Sequence, residues 1–155
     1  MATPGAEERL AALGLQLPVP RPPAGNYDDV IRTGSLLFLA GHGPVRPDGT
    51  WIQGKVGRDL DIPEAKAAAR LVGIGLLATI RRELGTLDNV RQIVKVFGMV
   101  NCAPGFNQTP AVIDGCSDLL IEIFGDAGRH ARSAVGMAEL PFNIPVEIEL
   151  IAETT

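Results

Sequence analysis

Apolar and polar positions alternate most cleanly near the C-terminus. Val146, Ile148 and Leu150 fall on one face of a predicted strand and Glu147, Glu149 and Ile151 on the other, because successive strand side chains point opposite ways. Glu147 and Glu149 then stand side by side, about 7 Å apart. Ser133 to Leu140 alternates weakly and predicts the preceding strand, with Pro141 between the two. Two longer stretches repeat at three- and four-residue spacing instead. Ala65, Ala69, Val72, Leu76 and Ile80 make one stripe within Pro63 to Leu84, opened by Pro63 and Glu64 and stopped by Gly85, which predicts a helix with one buried face. Thr109 to Phe124 predicts a second helix, with Thr109 as N-cap, Pro110 in the first turn and a stripe running from Val112 and Ile113 to Ile123 and Phe124.

The β-branched run Ile93 to Asn101 predicts a strand between those helices. Upstream, Asp29–Thr33 and Leu36–Ala40 flank the turn pair Gly34-Ser35 and read as a hairpin. Asp48-Gly49 is another turn signal, from which Thr50–Gln53 is expected to return as a third strand. Ala6–Leu13 has a short helical pattern ended by Gly14, and the four prolines of LPVPRPPAGNY predict an extended segment, so residues 1–26 form a helical, Pro-rich N-terminal arm. The order β-β-β-α-β-α-β-β, without internal repeat, predicts an α+β domain: a mixed sheet with two helices packed on one face.

Composition narrows the class. The 155 residues suit a single domain, 1–155. A hydrophobic fraction of 46% beside 21% charged residues is high for a lone monomer, so part of the apolar surface is expected to be covered by a partner subunit. The net charge of -4 argues against a nucleic-acid backbone as the ligand, which calls for a basic face. Cys102 and Cys116 lack CxxC or metal-type spacing and read as reduced thiols, with Cys116 in the packing. Met1 to Glu8 lacks the pattern of a signal peptide, and no apolar run reaches the ~18 residues of a membrane span. A cytoplasmic protein is expected.

Among candidate functional residues Arg132 stands out, entering an apolar strand after the glycine-containing turn GDAGRHA. Its guanidinium is a planar fork suited to a carboxylate; a structural pairing with Glu147 or Glu149 on an adjacent strand is the other reading. His42, between Gly41 and Gly43, and His130 titrate near neutral pH when unperturbed. Trp51, at a hairpin end, reads as a subunit contact or core edge.

The ARS segment at Arg132, the LP turn and the closing VEIE-L-IA strand resemble the C-terminal signature of the Rid/YjgF family, and the likeness extends from about Tyr27 to Ala152. Its members include enamine/imine deaminases and proteins labelled L-PSP endoribonuclease. The resemblance implies a chorismate-mutase-like fold (bacillary type), a homotrimer, and a small carboxylate-bearing metabolite bound between subunits. No cofactor is expected, and the spacing of the two histidines and two cysteines gives no support for a metal. Arg132 would hold the carboxylate of a 2-imino or enamine acid, and Glu147 would orient the water that attacks the C=N carbon, leaving a 2-keto acid and ammonia. Gly41 would lie against the ligand and Tyr27 would close the pocket from the arm. Ala40 stands where many deaminases have serine, and His42 is the expected substitute donor. Ala134 stands where many have cysteine. An asparagine of the second helix has no clear counterpart; Ser117 is the nearest residue, placed with Cys102 and His130 at the pocket rim. The alternative is a non-catalytic, small-molecule-binding or regulatory trimer. Endoribonuclease activity comes third, because no lysine-rich groove, aromatic run or paired histidines accompany the label.

Overall fold

Five strands form one sheet in the computed structural model of the chain, which describes residues 3–155. The elements are α1 (Ala6–Ala12), β1 (Val30–Thr33), β2 (Leu36–His42), α2 (Ile62–Leu84), β3 (Val90–Asn101), α3 (Thr109–Phe124), β4 (Ala131–Met137) and β5 (Val146–Thr154). Across the sheet the order is β1-β2-β5-β3-β4. All pairs are antiparallel except β3–β4, whose parallel pairing needs the crossover that α3 supplies. The predicted α+β architecture is present, with α2 and α3 on one face and α1 packed against α3.

The predicted third strand is absent. The Asp48-Gly49 turn does form, with Asp48 Oδ1 accepting from Thr50 N at 2.9 Å, but Trp51 meets Val45 only in an isolated bridge. Both edges of β2 are already taken by β1 and β5, so Thr50–Gln53 finds no free edge of β2 to return to. The observed order is therefore α-β-β-α-β-α-β-β. Thr109 is likewise not the N-cap of α3. Gln108 holds that position, and the Thr109 hydroxyl donates to Ala134 O of β4 at 2.9 Å.

α2 opens with a capping box in which Asp61 and Glu64 each accept the other's backbone N–H at 2.9 Å. It ends at Gly85, whose φ of 78° favours glycine. The whole predicted stripe of α2 is buried. Gly115 of α3 lies directly against the backbone of Lys66, so a side chain there would force α2 and α3 apart. Beside it Cys116 is fully buried, and burial pushes its thiol up to about 12, which leaves it a packing residue.

On the sheet, Val146, Ile148 and Leu150 face the helices and are buried, as predicted. Among the described residues no helix covers the opposite face. Ile31, Phe38 and Val135 stand exposed there, with Phe97, Met99 and Ile151 half-covered beside them. No described helix is long and apolar enough to cross a membrane.

Candidate functional site

The predicted site residues fall into two groups on opposite faces of the sheet. Glu147 pairs with Met99 on β3, on the open face. Arg132 pairs with Val96, which pairs with Leu150, and both neighbours are buried under the helices. The guanidinium therefore lies on the helix side. The expected alternative, a bridge from Arg132 to Glu147 or Glu149 within one chain, is ruled out by that parity.

On the open face, the register of β2 against β5 slips between Leu39 and His42, a bulge that turns Gly41 toward Glu147. A Cβ on Gly41 would fall inside the van der Waals radius of Glu147 Oε1, so any side chain there would displace the Glu147 carboxylate from its place in the cleft. Glu147 and Gly41 line a cleft of about 320 Å³ together with Tyr27, Gly43, Trp51, Phe142 and Ile144. Tyr27 is 50% exposed, and its hydroxyl accepts from Ala24 N at 3.2 Å. Burial first, and then repulsion from Glu149, raises the Glu147 carboxyl above its ordinary range. Glu149 itself lines a neighbouring cleft of about 300 Å³ with Asp28, Phe38, Lys95 and Phe97.

The same bulge sends His42 the other way. It pairs with Ile148 on the helix face, with Nε2 2.9 Å from Thr79 Oγ1 and Nδ1 2.7 Å from Ala40 O. The carbonyl can only accept, so Nδ1 carries the proton and Nε2 accepts the Thr79 hydroxyl. Burial pulls its pKa down and favours this neutral form. His42 does not reach the cleft. The expectation that it replaces the donor missing at Ala40 is corrected, because the bulge aims alternate residues at opposite faces.

On the helix side, Arg132 donates through Nη1 to Asp114 Oδ1 at 2.7 Å and to Ser117 Oγ at 3.1 Å, and through Nη2 to Pro110 O at 3.4 Å. Ser117 Oγ is also 3.0 Å from His130 Nε2, and His130 Nδ1 is 2.6 Å from Gly128 O. Hydrogen-bond roles follow from the donor inventory. Gly128 accepts from Nδ1–H, so Nε2 takes the Ser117 proton while the serine oxygen receives the Arg132 N–H. Burial lowers the His130 pKa, the Gly128 bond opposes that shift, and the Arg132 charge adds to it. Ser117 thus bonds Arg132 directly, and His130 reaches it only through Ser117; the sequence offers these two only as residues of a pocket rim.

Asp114 was missed. Pro110, Asp114 and Ser117 recur at four- and three-residue spacing on α3, which places them on one helix face; that stripe was the available signal. Cys102 lines neither cleft. Its sulfur lies against Gly136 of β4, and burial raises its thiol pKa, so it sits apart from both groups. Among the described residues no three His, Cys, Asp or Glu side chains gather to hold a metal.

Comparison with known proteins gives a consistent answer. Residues 7–154 match the family described as "YjgF/chorismate mutase-like, putative endoribonuclease". Protein TCP17 of Trypanosoma cruzi is 38% identical over 145 residues, 93% of this chain and 91% of its own. The crystal structure of Atu1372 from Agrobacterium tumefaciens, of unknown function, is 41% identical with a TM-score of 0.89, covering 97% of this chain and 92% of that one. A crystal structure from Shewanella oneidensis, described as a "putative endoribonuclease", is 36% identical with a TM-score of 0.93 over 97% of this chain and 99% of that one.

Proposed function

The chain belongs to the YjgF/chorismate mutase-like family, and we propose that it acts as a homotrimer hydrolysing 2-imino or enamine acids to 2-keto acids and ammonia in a pocket between subunits. One observation supports this reading above the others: two chemically complementary half-sites lie on opposite faces of one chain. Arg132 already grips a carboxylate, that of Asp114 at 2.7 Å. Glu147 is a half-buried acid against a glycine backbone. Neither half suffices alone, and a second copy that brings its Arg132 edge to the Glu147 cleft would complete the site. The exposed Ile31, Phe38 and Val135 on the uncovered sheet face are the apolar area such an assembly would bury.

In that pocket Arg132 exchanges Asp114 for the substrate carboxylate through two parallel hydrogen bonds. Glu147, ionised, takes a proton from water as the oxygen bonds to the C=N carbon. The nitrogen is protonated, the C–N bond breaks, ammonia leaves, and the carbinol oxygen becomes the keto oxygen. An enamine acid enters through its imine tautomer. The carboxyl pKa raised by burial makes Glu147 a stronger base than an exposed glutamate.

The test is hydrolysis of 2-iminopropionate generated in situ by an amino-acid oxidase with catalase. Wild type should accelerate ammonia release, and Arg132→Ala and Glu147→Gln should not. Sedimentation should give three times the chain mass. A monomer, or release indifferent to both substitutions, would sink the proposal. Arg132-dependent binding of carboxylates without hydrolysis would leave a binding protein that uses the same pocket.

A further inference from the structure

The Glu147 cleft has a wall that the imine reaction does not require. Trp51 and Phe142 stack with centroids 6.1 Å apart and planes 17° from parallel, and both line the cleft. Phe142 sits at φ 58° and ψ 16°, and Asn143 follows at φ 55°. Among the described residues these are the only non-glycine positions with positive φ. Asparagine tolerates that region, whereas a bulky aromatic residue is strained there. Phe142 is also 60% exposed, so the core gains little from holding it this way.

The strained turn is pinned from several sides. Gln53 Nε2 donates to Phe142 O at 2.7 Å, and Gly54 N donates to Asn143 O at 2.7 Å. Asn101 Nδ2 donates to Asn143 Oδ1 at 3.2 Å. Gln53 and Gly54 follow Trp51 closely, so the bonds that hold the turn also fix one ring against the other. The Trp51 ring packs on Gly43, where a Cβ would lie 2.5 Å from ring carbon Cζ3. The Arg21 guanidinium lies 5.1 Å from the ring centroid and ties the N-terminal arm to the wall. The backbone at the end of β2 and just beyond it, bare at Gly41 and Gly43, thus runs as a floor from the acid to the rings. Backbone strain that surrounding bonds enforce, at a position the core does not need, points to ligand contact.

We propose that this wall selects the substrate's side chain: the cleft takes 2-imino or enamine acids that carry a flat, aromatic side chain, laid on Phe142 and Trp51 while the reacting carbon stands at Glu147. The inference rests on the reading of the pocket given above, and it adds the substrate class. A volume of about 320 Å³ lies at the small end of ligand pockets and suits one ring with a short acid tail.

The test separates side-chain selection from turnover. Trp51 is the only tryptophan of the chain, so its emission reports on the wall. The probes are 3-phenyllactate and lactate, which share the acid tail and cannot react. 3-Phenyllactate should shift or quench the emission and bind at least tenfold more tightly than lactate. Phe142→Asn suits the positive φ and removes the ring, and should cut that preference to under threefold, chiefly by weakening 3-phenyllactate binding. Equal affinity for the two probes, or a preference that survives Phe142→Asn, overturns the proposal. So does a Phe142→Asn variant that loses assembly mass yet keeps the preference, since the ring would then be a subunit contact. Phe142→Gly provides the same comparison should Phe142→Asn fold poorly. Absence of imine hydrolysis would defeat the deaminase reading and leave the binding result intact. Equal hydrolysis of phenyl and methyl imines would defeat aromatic selection alone.

Discussion

The two halves of the proposed site are built on opposite physical terms. Around Arg132, Asp114, Ser117, His130 and Gly128 form a chain of hydrogen bonds in which the protons have defined places. Bonds to a charged group contribute roughly 1.5–3 kcal/mol each when buried and less where water reaches them, as at Asp114, so this half adds to the stability of the fold. Around Glu147 burial raises the carboxyl pKa, Gly41 yields its side-chain space, and Phe142 is held in a strained backbone. Arg132 is satisfied within its own chain, and Glu147 is costly within its own. Such a contrast teaches where function draws on stability: sites that must meet a ligand give up local stabilisation.

The sharpest way to break the contrast is Glu147→Gln. Loss of the base should lower imine hydrolysis by about 10²–10⁴-fold, while the same change should stabilise the chain at neutral pH. The sign follows from the raised pKa. The folded state favours the protonated acid, so the stability it contributes is full below its ordinary value of 4.5 and declines as pH rises through the higher folded value. Urea unfolding across that range should show a flatter profile for Glu147→Gln than for wild type; an unchanged slope would remove the burial argument.

Arg132→Ala comes next. It should cost about 100-fold in kcat/KM and, unlike Glu147→Gln, should lower stability, by roughly 1–3 kcal/mol in denaturant unfolding, because Asp114 and Ser117 lose a charged donor. If stability is unaffected, the Arg132 half does not add to the stability of the fold.

A smaller effect sharpens the picture from the other direction. Asp114→Asn removes the carboxylate that competes for Arg132 and should tighten binding of a carboxylate probe about fivefold, a gain of ~1 kcal/mol; calorimetry reads it directly. Weaker binding would show that Asp114 orients the guanidinium more than it competes with ligand.

The smallest expected effect is the pH response of His130. Burial holds its folded pKa below the ordinary value of 6.5, so the unfolded chain takes the proton first. Stability present above pH 6.5 is therefore lost as pH falls through that region, when Nε2 can no longer accept from Ser117. His42 contributes with the same sign. His130→Gln should make the acid limb shallower, and an identical limb would place the titration elsewhere.

Much of this was legible in the chain. The helical stripes of α2 and α3, the stop at Gly85 and the alternation of Val146 to Ile151 all appear where the spacing placed them. Ser117 and His130, singled out only as rim residues, join Arg132 in one hydrogen-bonded chain whose geometry the spacing did not announce. Asp114 escaped notice because a carboxylate on a helix reads as a solvated surface residue until its partner strand is in place. The Trp51–Phe142 wall escaped because the two residues are distant in sequence and the turn at Phe142 carries no glycine to announce it.

The sequence by itself determined the periodic elements, since the 3.6-residue turn and the two-residue pleat are local geometry that the order of side chains records directly. Tertiary structure decided everything that depends on which elements compete for the same edge or face. The return after Asp48-Gly49 stayed out of the sheet because β1 and β5 had filled both edges of β2. A bulge in β2 put His42 under the sheet and Gly41 above it. The parallel register of β4 on β3 sent Arg132 to the face opposite Glu147. A one-residue change of register reverses the face of every side chain that follows, and register is fixed by long-range pairing.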